Sequence, residues 1–302
     1  MAVTMTGNLT LGPILFHWPA NKKLDFYARI ADEAAIDTVY LGEVICSKRA
    51  PFFEQHYSEV AERLQRGGKT VVFSSLSEVV LKRERKAIAA FCDLAGHEIE
   101  LNNTSALLEI DGRPHRIGPM MNVYNEATMA YLARGGATHF SLPVEIPRTS
   151  AQLLAKQAES LGAGVELQVF GRASLAVSAR CYHARAHART KDNCQFVCEE
   201  DPDGMELKTL DGKPFLAVNG IQTLSQSYLN YLTDLPDLVS AGITHFRLSP
   251  HSQDMVAIAG LFRAVLDGEL GADEAEARLR LITGAIPFAN GFWHGKPGHL
   301  RV

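Results

Sequence analysis

Four segments of the chain share one local pattern, in which glycine follows a stretch with helical periodicity and precedes a run rich in β-branched and aromatic residues. The segments are RGGKTVVFS from Arg66, RGGATHFSL from Arg134, LGAGVELQV from Leu161 and SAGITHFRLS from Ser240. Glycine commonly ends a helix because it adopts the left-handed conformation without a steric penalty. The pattern therefore predicts helices that alternate with strands, and GGATHFSLP and SAGITHFRLSP resemble one unit used twice.

Strand-like runs and helical stripes alternate over most of the 302 residues. We predict eight strands, at Leu11–Phe16, Thr38–Leu41, Thr70–Ser75, Glu98–Leu101, Arg116–Met121, Thr138–Leu142, Val165–Phe170 and Thr244–Leu248. Apolar residues at helical spacing lie between strands, for example over Leu24–Ala31, Tyr57–Leu64 and Met255–Val265. Eight such units predict an α/β fold of the (β/α)8 barrel type, which carries its functional groups at the C-terminal ends of the strands. An open, doubly wound sheet is the alternative.

One connection is far longer than an ordinary loop. The chain from Gly171 to Gly242 holds three of the five cysteines, and long connections at the active face of a barrel are usually functional. We therefore expect a single barrel-like domain over residues 1–302, with residues 171–242 as a cluster-binding insertion after strand seven. Residues 268–302 are expected to form a short C-terminal extension.

The composition argues against several classes of function. Lys and Arg number 30 and Asp and Glu number 34, which gives a formal net charge of −4 without any block of like charge. Such a chain is poorly suited to bind nucleic acid by neutralising its backbone. No run approaches the roughly 20 apolar residues of a transmembrane helix. No Lys or Arg precedes Lys22, so the charged start of a signal peptide is missing, and we expect a cytoplasmic protein.

The cysteines are the strongest chemical signal. Cys181, Cys194 and Cys198 form a C-x12-C-x3-C pattern, and Cys46 stands just beyond the second predicted strand. Four thiolates from two loops could enclose a tetrahedral zinc ion or a 4Fe-4S cluster, and C-x3-C fits structural zinc poorly. Cysteine is also a common buried residue, so unrelated core cysteines are the alternative. Cys92, in the helical run AIAAFCDLAG, fits that second interpretation.

Cations surround these cysteines in the sequence. They are Lys48, Arg49, Arg180, Arg185, Arg189 and Lys191. Four thiolates around a 2+ cluster core leave a net charge of about −2, which nearby cations would stabilise. Two other motifs are rejected. GGKT, at Gly67–Thr70, precedes a strand instead of following one, as a phosphate loop would. His183 and His187 lack the glutamate of a zinc-protease motif, and we expect solvated histidines.

The run ELQVFGRASLAVSARC, from Glu166 to Cys181, resembles the signature of the collagenase-like peptidases, peptidase family U32. The positions that match are Glu166, Gly171, Ser178, Arg180 and Cys181. The positions that depart from it are Gln168, Phe170 and Ser174, the last of which is usually the first cysteine of the signature. These departures weaken the expectation of a peptidase.

Further pieces resemble the subgroup of that family that serves oxygen-independent ubiquinone biosynthesis. They are LGPILFHWP, YLGEVICSKR, NVYN, LPVE, SARCYHAR, VNGIQTLS, FRLSP and NGFW, in this order along the chain. The resemblance implies a 4Fe-4S cluster on Cys46, Cys181, Cys194 and Cys198. It also implies a heterodimer with a UbiU-type family member, a UbiT-type lipid carrier, and a prenylated phenol whose ring is hydroxylated without O2. A hydroxylated metabolite is the implied oxygen donor.

Polar residues after predicted strands or in the insertion are candidates to bind substrate near the cluster. They are Glu43, Asn122, Asn125, Glu145, Gln222 and Arg247. Each could equally be a helix cap or a hydrogen-bonding support, and no residue stands out as a general acid or base. Competing functions are a peptidase, an RNA-hydroxylating relative and a non-catalytic cluster-binding partner subunit.

Overall fold

Strands of the computed structural model, which describes residues 7–94 and 96–302, form one continuous sheet. In chain order they are β1 (Asn8–Leu11), β2 (Thr38–Leu41), β3 (Thr70–Ser74), β4 (Glu98–Leu101), β5 (His115–Ile117), β6 (Ala137–Ser141), β7 (Gly164–Val177), β8 (Met205–Lys208), β9 (Pro214–Asn219), β10 (Gln222–Asn230), β11 (His245–Leu248) and β12 (Phe288–Ala289). Strands β1 to β7 pair in parallel with their neighbours, and β11 pairs in parallel with both β7 and β1. The barrel is therefore closed, which confirms the (β/α)8 prediction over the open sheet.

Helices connect the strands in the described part of the chain. They are α1 (Ala20–Glu33), α2 (Tyr57–Arg66), α3 (Lys82–Cys92), α4 (Ala106–Glu109), α5 (Glu126–Arg134), α6 (Arg148–Ser160), α7 (Tyr182–Ala186), α8 (Leu235–Ser240), α9 (Met255–Leu266) and α10 (Ala272–Thr283). The predicted stripe of α1 buries Tyr27 and Ala31 against the strands. Gly68 and Gly136, after α2 and α5, have φ of 78° and 98°, the left-handed turn that the sequence pattern predicts. In the described ranges, no helix has the length and apolar character needed to cross a lipid bilayer.

The first predicted strand is displaced. We expected Leu11–Phe16, but β1 ends at Leu11, where the backbone N–H of Gly12 makes a last bond of 2.9 Å to the carbonyl of Leu248. Pro13 has no N–H with which to continue the ladder, so the apolar run after it forms a buried loop. The first six residues, part of the segment expected to lack a signal peptide, lie outside the described residues.

Strand β7 is longer than predicted because a second sheet is attached to it. We expected it to end at Phe170, but β10 pairs antiparallel with its outer half as far as Val177. Strands β9 and β8 extend this sheet in antiparallel order. Helix α7 and a short 3-10 helix at Val197–Glu199 lie between β7 and β8. The cysteine-bearing part of the chain is thus held against the end of the barrel by a hairpin sheet.

The C-terminal segment also packs onto this insertion. Helix α10 packs against α9, and β12 pairs in parallel with β10. Trp293 is 1% exposed, and its indole N–H donates to Asp237 of α8 at 2.9 Å. A buried indole whose N–H has a partner adds apolar contact area and fixes the orientation of the side chain. The C-terminal segment is therefore attached to the insertion at two places, α8 and β10.

Candidate functional site

The four cysteines of the predicted cluster site line one small cavity, although they come from two distant parts of the chain. Cys46 lies in the loop after β2, just before a 3-10 helix at Ser47–Phe52. The Glu43 carboxylate accepts hydrogen bonds from the backbone N–H groups of Ile45 and Cys46, each at 3.0 Å. Glu43 therefore shapes the loop that presents Cys46, and it does not line the mouth of the barrel.

The other three cysteines are presented by tight local structure in the insertion. Cys181 begins α7, and its sulfur accepts a hydrogen bond from the N–H of Ala184 at 3.4 Å. Gln195 and Phe196 have φ of 49° and 54°, values that L-residues adopt rarely. This turn folds the short C-x3-C segment so that Cys194 and Cys198 line the same cavity.

Buried Arg49 is the main electrostatic feature of this cavity. It is 2% exposed, and its Nη1 and Nη2 donate to the Leu15 carbonyl at 3.0 Å and to Asn219 Oδ1 at 2.9 Å. Its Nε has no hydrogen-bond partner, and no carboxylate of the described residues lies within 4.0 Å. The charges that favour this guanidinium are those of Glu43, from beyond ion-pair distance, and of the cavity cysteines Cys198 and Cys46. A buried cation is costly unless an anion compensates it, so this guanidinium fits an anionic group between the cysteines.

Three of the four thiols have pKa values above the usual range of cysteine. Burial raises the pKa values of Cys46, Cys181 and Cys198, and the charge of Arg49 opposes this rise. Bound metal replaces the thiol protons by its own charge. The donor set, four thiols beside a buried guanidinium whose Nε has no hydrogen-bond partner, fits an iron–sulfur cluster. In the described part of the chain, no three His, Cys, Asp or Glu side chains are grouped so as to hold a metal ion as they stand.

Lys48 links the two walls of the cysteine cavity, and Gly220 leaves room in it for Arg49. Lys48 donates to the Lys191 carbonyl at 2.7 Å and to the Asp192 carbonyl at 3.1 Å, which ties the Cys46 loop to the insertion. Gly220 has φ of 62°, and a Cβ there would lie 2.8 Å from Nη2 of Arg49. Only glycine leaves room for the guanidinium at this turn.

One of the two histidines differs from our expectation. His187 is exposed, but the prediction of a solvated side chain is wrong for His183, which is fully buried beside the cysteine cavity. Its Nε2 lies 2.9 Å from a carboxylate oxygen of Asp201, but burial outweighs this contact and lowers the pKa of the ring. Cys92 is buried in α3, as predicted for a core residue.

A second cavity, of about 380 Å³, opens at the C-terminal mouth of the barrel. Asn122, Glu145 and Arg247, three of the six predicted substrate-binding residues, line it. Tyr124 donates its hydroxyl to Glu145. Asn122 has φ of 54°, a conformation that asparagine tolerates better than most residues. The volume falls within the range of small-molecule sites.

The other three candidates, Asn125, Gln222 and Glu43, do not line the mouth cavity. Asn125 is the N-cap of α5, where its side chain accepts from the N–H of Thr128 at 2.8 Å. Gln222 is fully buried and donates to Ser174 at 2.8 Å, so it supports a lining residue from behind. Glu43 shapes the Cys46 loop. Each satisfies the nearest backbone or side-chain group, as short polar side chains commonly do.

Sequence reasoning missed a buried ionic network beneath the mouth. Arg247 Nη2 donates to Glu100 at 2.5 Å and also contacts Glu166. The guanidinium carbon lies 3.9 Å from the centroid of the Tyr40 ring, and Tyr40 donates to Glu166 at 3.2 Å. Thr10 also donates to Glu166. Polar residues at alternate positions of EIEL, VELQV and HFRL were the available signal, since alternate strand positions face the barrel interior.

Burial raises the pKa of the Glu166 carboxyl, but Arg247, followed by His139 and His245, outweighs this effect. The net result is a pKa well below its usual value. Glu166 is therefore ionised at neutral pH, and its charge fixes Arg247 at the floor of the mouth cavity.

A thin apolar wall separates the two cavities. Val44, Ile45 and Ile221 form a small buried cluster of their own, against which Met120 and Cys181 pack. Met120 lines the mouth cavity and Cys181 lines the cysteine cavity. The two sites are thus one layer of side chains apart.

Comparison with known proteins gives a family match and, among solved structures, distant likenesses. A sequence model described as Peptidase family U32 matches residues 27–301. Among solved structures, the chain is similar to a type I 3-dehydroquinate dehydratase from Clostridium difficile, carrying covalently modified comenic acid, with 11% identity and a TM-score of 0.20. That match covers 55% of this chain and 52% of the other, and a likeness this low informs neither fold nor function.

Proposed function

The chain belongs to peptidase family U32, and from this premise we propose that it is an iron–sulfur protein of the UbiV type. In this proposal it serves oxygen-independent ring hydroxylation in ubiquinone biosynthesis, in the cytoplasm, with a UbiU-type partner. The observation that carries the proposal is the cavity lined by four cysteines beside the buried guanidinium of Arg49. The reaction itself is proposed from the resemblance to the UbiV subgroup.

Cys46, Cys181, Cys194 and Cys198 would hold a 4Fe-4S cluster, which supplies one-electron transfer when bound. Arg49 faces the cavity with a permanent positive charge, and burial strengthens its attraction to an anionic group. Lys48 and its bonds to the insertion keep the two cysteine-bearing segments together. These residues would stabilise the cluster and limit its exposure to water.

The mouth cavity would receive the ring of a prenylated phenol. Its lining combines apolar groups with the hydroxyls of Ser77, Ser174 and Ser249, which suits an aromatic ring that carries hydroxyl groups. Arg247 is held in place by two carboxylates, so its side chain would form a rigid part of the wall that the ring contacts. A UbiT-type carrier would deliver the isoprenoid portion, and the oxygen donor would be a hydroxylated metabolite.

Anaerobic reconstitution tests the cofactor. We expect about four irons per chain and a brown protein, since four thiolates hold one 4Fe-4S cluster. Changing Cys46, Cys181, Cys194 or Cys198 to Ser should lower the iron content, whereas Cys92→Ser serves as the matched control and should leave it intact. Stoichiometric zinc without iron after reconstitution would refute the proposal.

Anaerobic complementation tests the reaction. In a strain that lacks both family members, we expect ring hydroxylation to return only when this chain and its UbiU-type partner are expressed together. Restoration by this chain alone would contradict the proposed heterodimer. Cleavage of collagen-derived peptides by the purified chain, with no effect on ubiquinone, would favour the peptidase alternative.

A further inference from the structure

An open cleft beside Cys181 concentrates positive charge on the surface of the insertion. We define this basic face by Arg180, Arg185, Arg189 and Lys191, which line the cleft together with Cys181 and one carboxylate, Asp192. The whole chain carries a formal net charge of −4. The basic face is therefore a local reversal of the charge of the molecule, placed where one cysteine of the candidate cluster site reaches the surface.

The cations of the basic face have no carboxylate partners. Within the described ranges, no carboxylate oxygen lies within 4.0 Å of any of the four side chains, whereas exposed Arg63 and Arg278 pair with carboxylates at 2.6 and 2.5 Å. Arg189 and Lys191 donate to the backbone carbonyls of Cys194 and Ala179, so these two have a local role. Arg180 and Arg185 are exposed and make no side-chain bond that would explain their place.

We propose that the basic face docks an acidic electron-donor protein, which reduces the centre held by the four cysteines. This inference rests on the proposed iron–sulfur function. One electron leaves the donor, which is oxidised, and enters the centre, which is reduced, with no bond formed or broken and no proton transferred. Cys181 lines both the cleft and the cysteine cavity, so a donor seated on the cleft would lie next to a ligand of the centre.

The shape and composition of the basic face favour a protein over a small anion. The cleft is broad and open, and Tyr182, the next residue in the chain after Cys181, is 46% exposed. Exposed arginine and tyrosine are the residues most enriched at the energetic centre of protein interfaces. Complexes between redox proteins are typically small and weak, and charge complementarity accelerates their formation.

Stopped-flow reduction under anaerobic conditions tests the proposal with reduced flavodoxin, an acidic one-electron donor, as the probe. We expect the reconstituted wild-type protein to be reduced about tenfold more slowly when salt screens the interaction. The double variant Arg180→Glu/Arg185→Glu should lose about tenfold in rate at low salt and most of the salt dependence. The double variant Arg85→Glu/Arg134→Glu is the matched control with the same change of net charge. In the described ranges, both arginines are also exposed and without a carboxylate partner, but they lie on α3 and α5.

Each outcome decides the proposal. Wild-type rates and salt dependence in the Arg180→Glu/Arg185→Glu variant would overturn it. An equal loss of rate in Arg85→Glu/Arg134→Glu would also overturn it, because it would indicate only a net-charge effect. Inhibition by inorganic phosphate at constant ionic strength would instead identify a small-anion site. Iron content and binding of flavodoxin by calorimetry are measured on every sample. Salt-sensitive binding to a chain that takes up no iron would refute the proposed function but support the docking face.

Discussion

Replacing Arg247 with Met tests the ionic network beneath the mouth. Methionine keeps the apolar stem of the side chain and removes the guanidinium. Arg247 is 6% exposed, and the carboxylates that it contacts, Glu100 and Glu166, are fully buried. The change therefore leaves two buried carboxylates without their shared counter-ion. It also removes the packing of the guanidinium against the ring of Tyr40.

The expected loss follows from this burial. Removing one partner of a buried ion pair costs about 3–5 kcal/mol of the free energy of unfolding, and two carboxylates sharing one guanidinium favour the upper end of that range. In the wild type, the folded-state pKa of Glu166 is held below its usual value. Its contribution to stability is therefore present above the unfolded-state pKa and is lost as pH falls through the folded-state value.

The pH dependence gives the sharper test. Without Arg247, burial dominates and the pKa of Glu166 should rise above its usual value, so the carboxyl takes up a proton at mildly acidic pH. The variant should then be about 4–5 kcal/mol less stable than wild type at pH 8. At pH 5 this loss of stability should be distinctly smaller, because protonated Glu166 no longer needs a counter-ion. Urea unfolding followed by circular dichroism measures both values. A loss below about 1 kcal/mol, or the same loss at both pH values, would refute the argument.

Three further variants test separate features. Cys194→Ala should lower iron content and increase proteolysis within residues 171–242, with the far-ultraviolet circular dichroism largely unchanged, because the barrel does not depend on the cluster. Gly220→Ala should accelerate iron release to a chelator, since its Cβ would lie 2.8 Å from Nη2 of Arg49; equal release rates would contradict this. Asn125→Ala should lower stability by about 1 kcal/mol through loss of a helix cap, measured by thermal unfolding, and should leave the proposed hydroxylation unaffected.

The barrel was predictable because its signals are local. A left-handed glycine after a helix, as at Gly136, is visible within a few residues of sequence, and so is the apolar run that follows it. The position of β1 was not, because the apolar run from Leu11 to Phe16 continues beyond the strand. Ile14 and Phe16 are buried in the loop that follows the barrel strand, and hydrophobicity alone does not distinguish the two situations.

The candidate site also has features that are visible in the local sequence and features that depend on the whole fold. Spacing and neighbouring charges single out the cysteines, but only the fold brings Cys46 to the cavity of the other three. The network of Glu100, Glu166 and Arg247 was missed because its members lie on β4, β7 and β11. Each residue seen alone reads as the solvent-facing position of an alternating strand. Their common burial follows from closure of the barrel, which is a long-range property.

The loop after β2 joins the two cavities physically. Val44 lines the mouth cavity and Cys46 lines the cysteine cavity, only two residues apart. Leu15 links them again, since its side chain lines the mouth while its carbonyl accepts from Arg49 at 3.0 Å. Packed side chains transmit small displacements because interiors are dense and have few voids. A group bound by Cys46 and an aromatic ring in contact with Val44 would therefore be separated by packed protein side chains and not by mobile water.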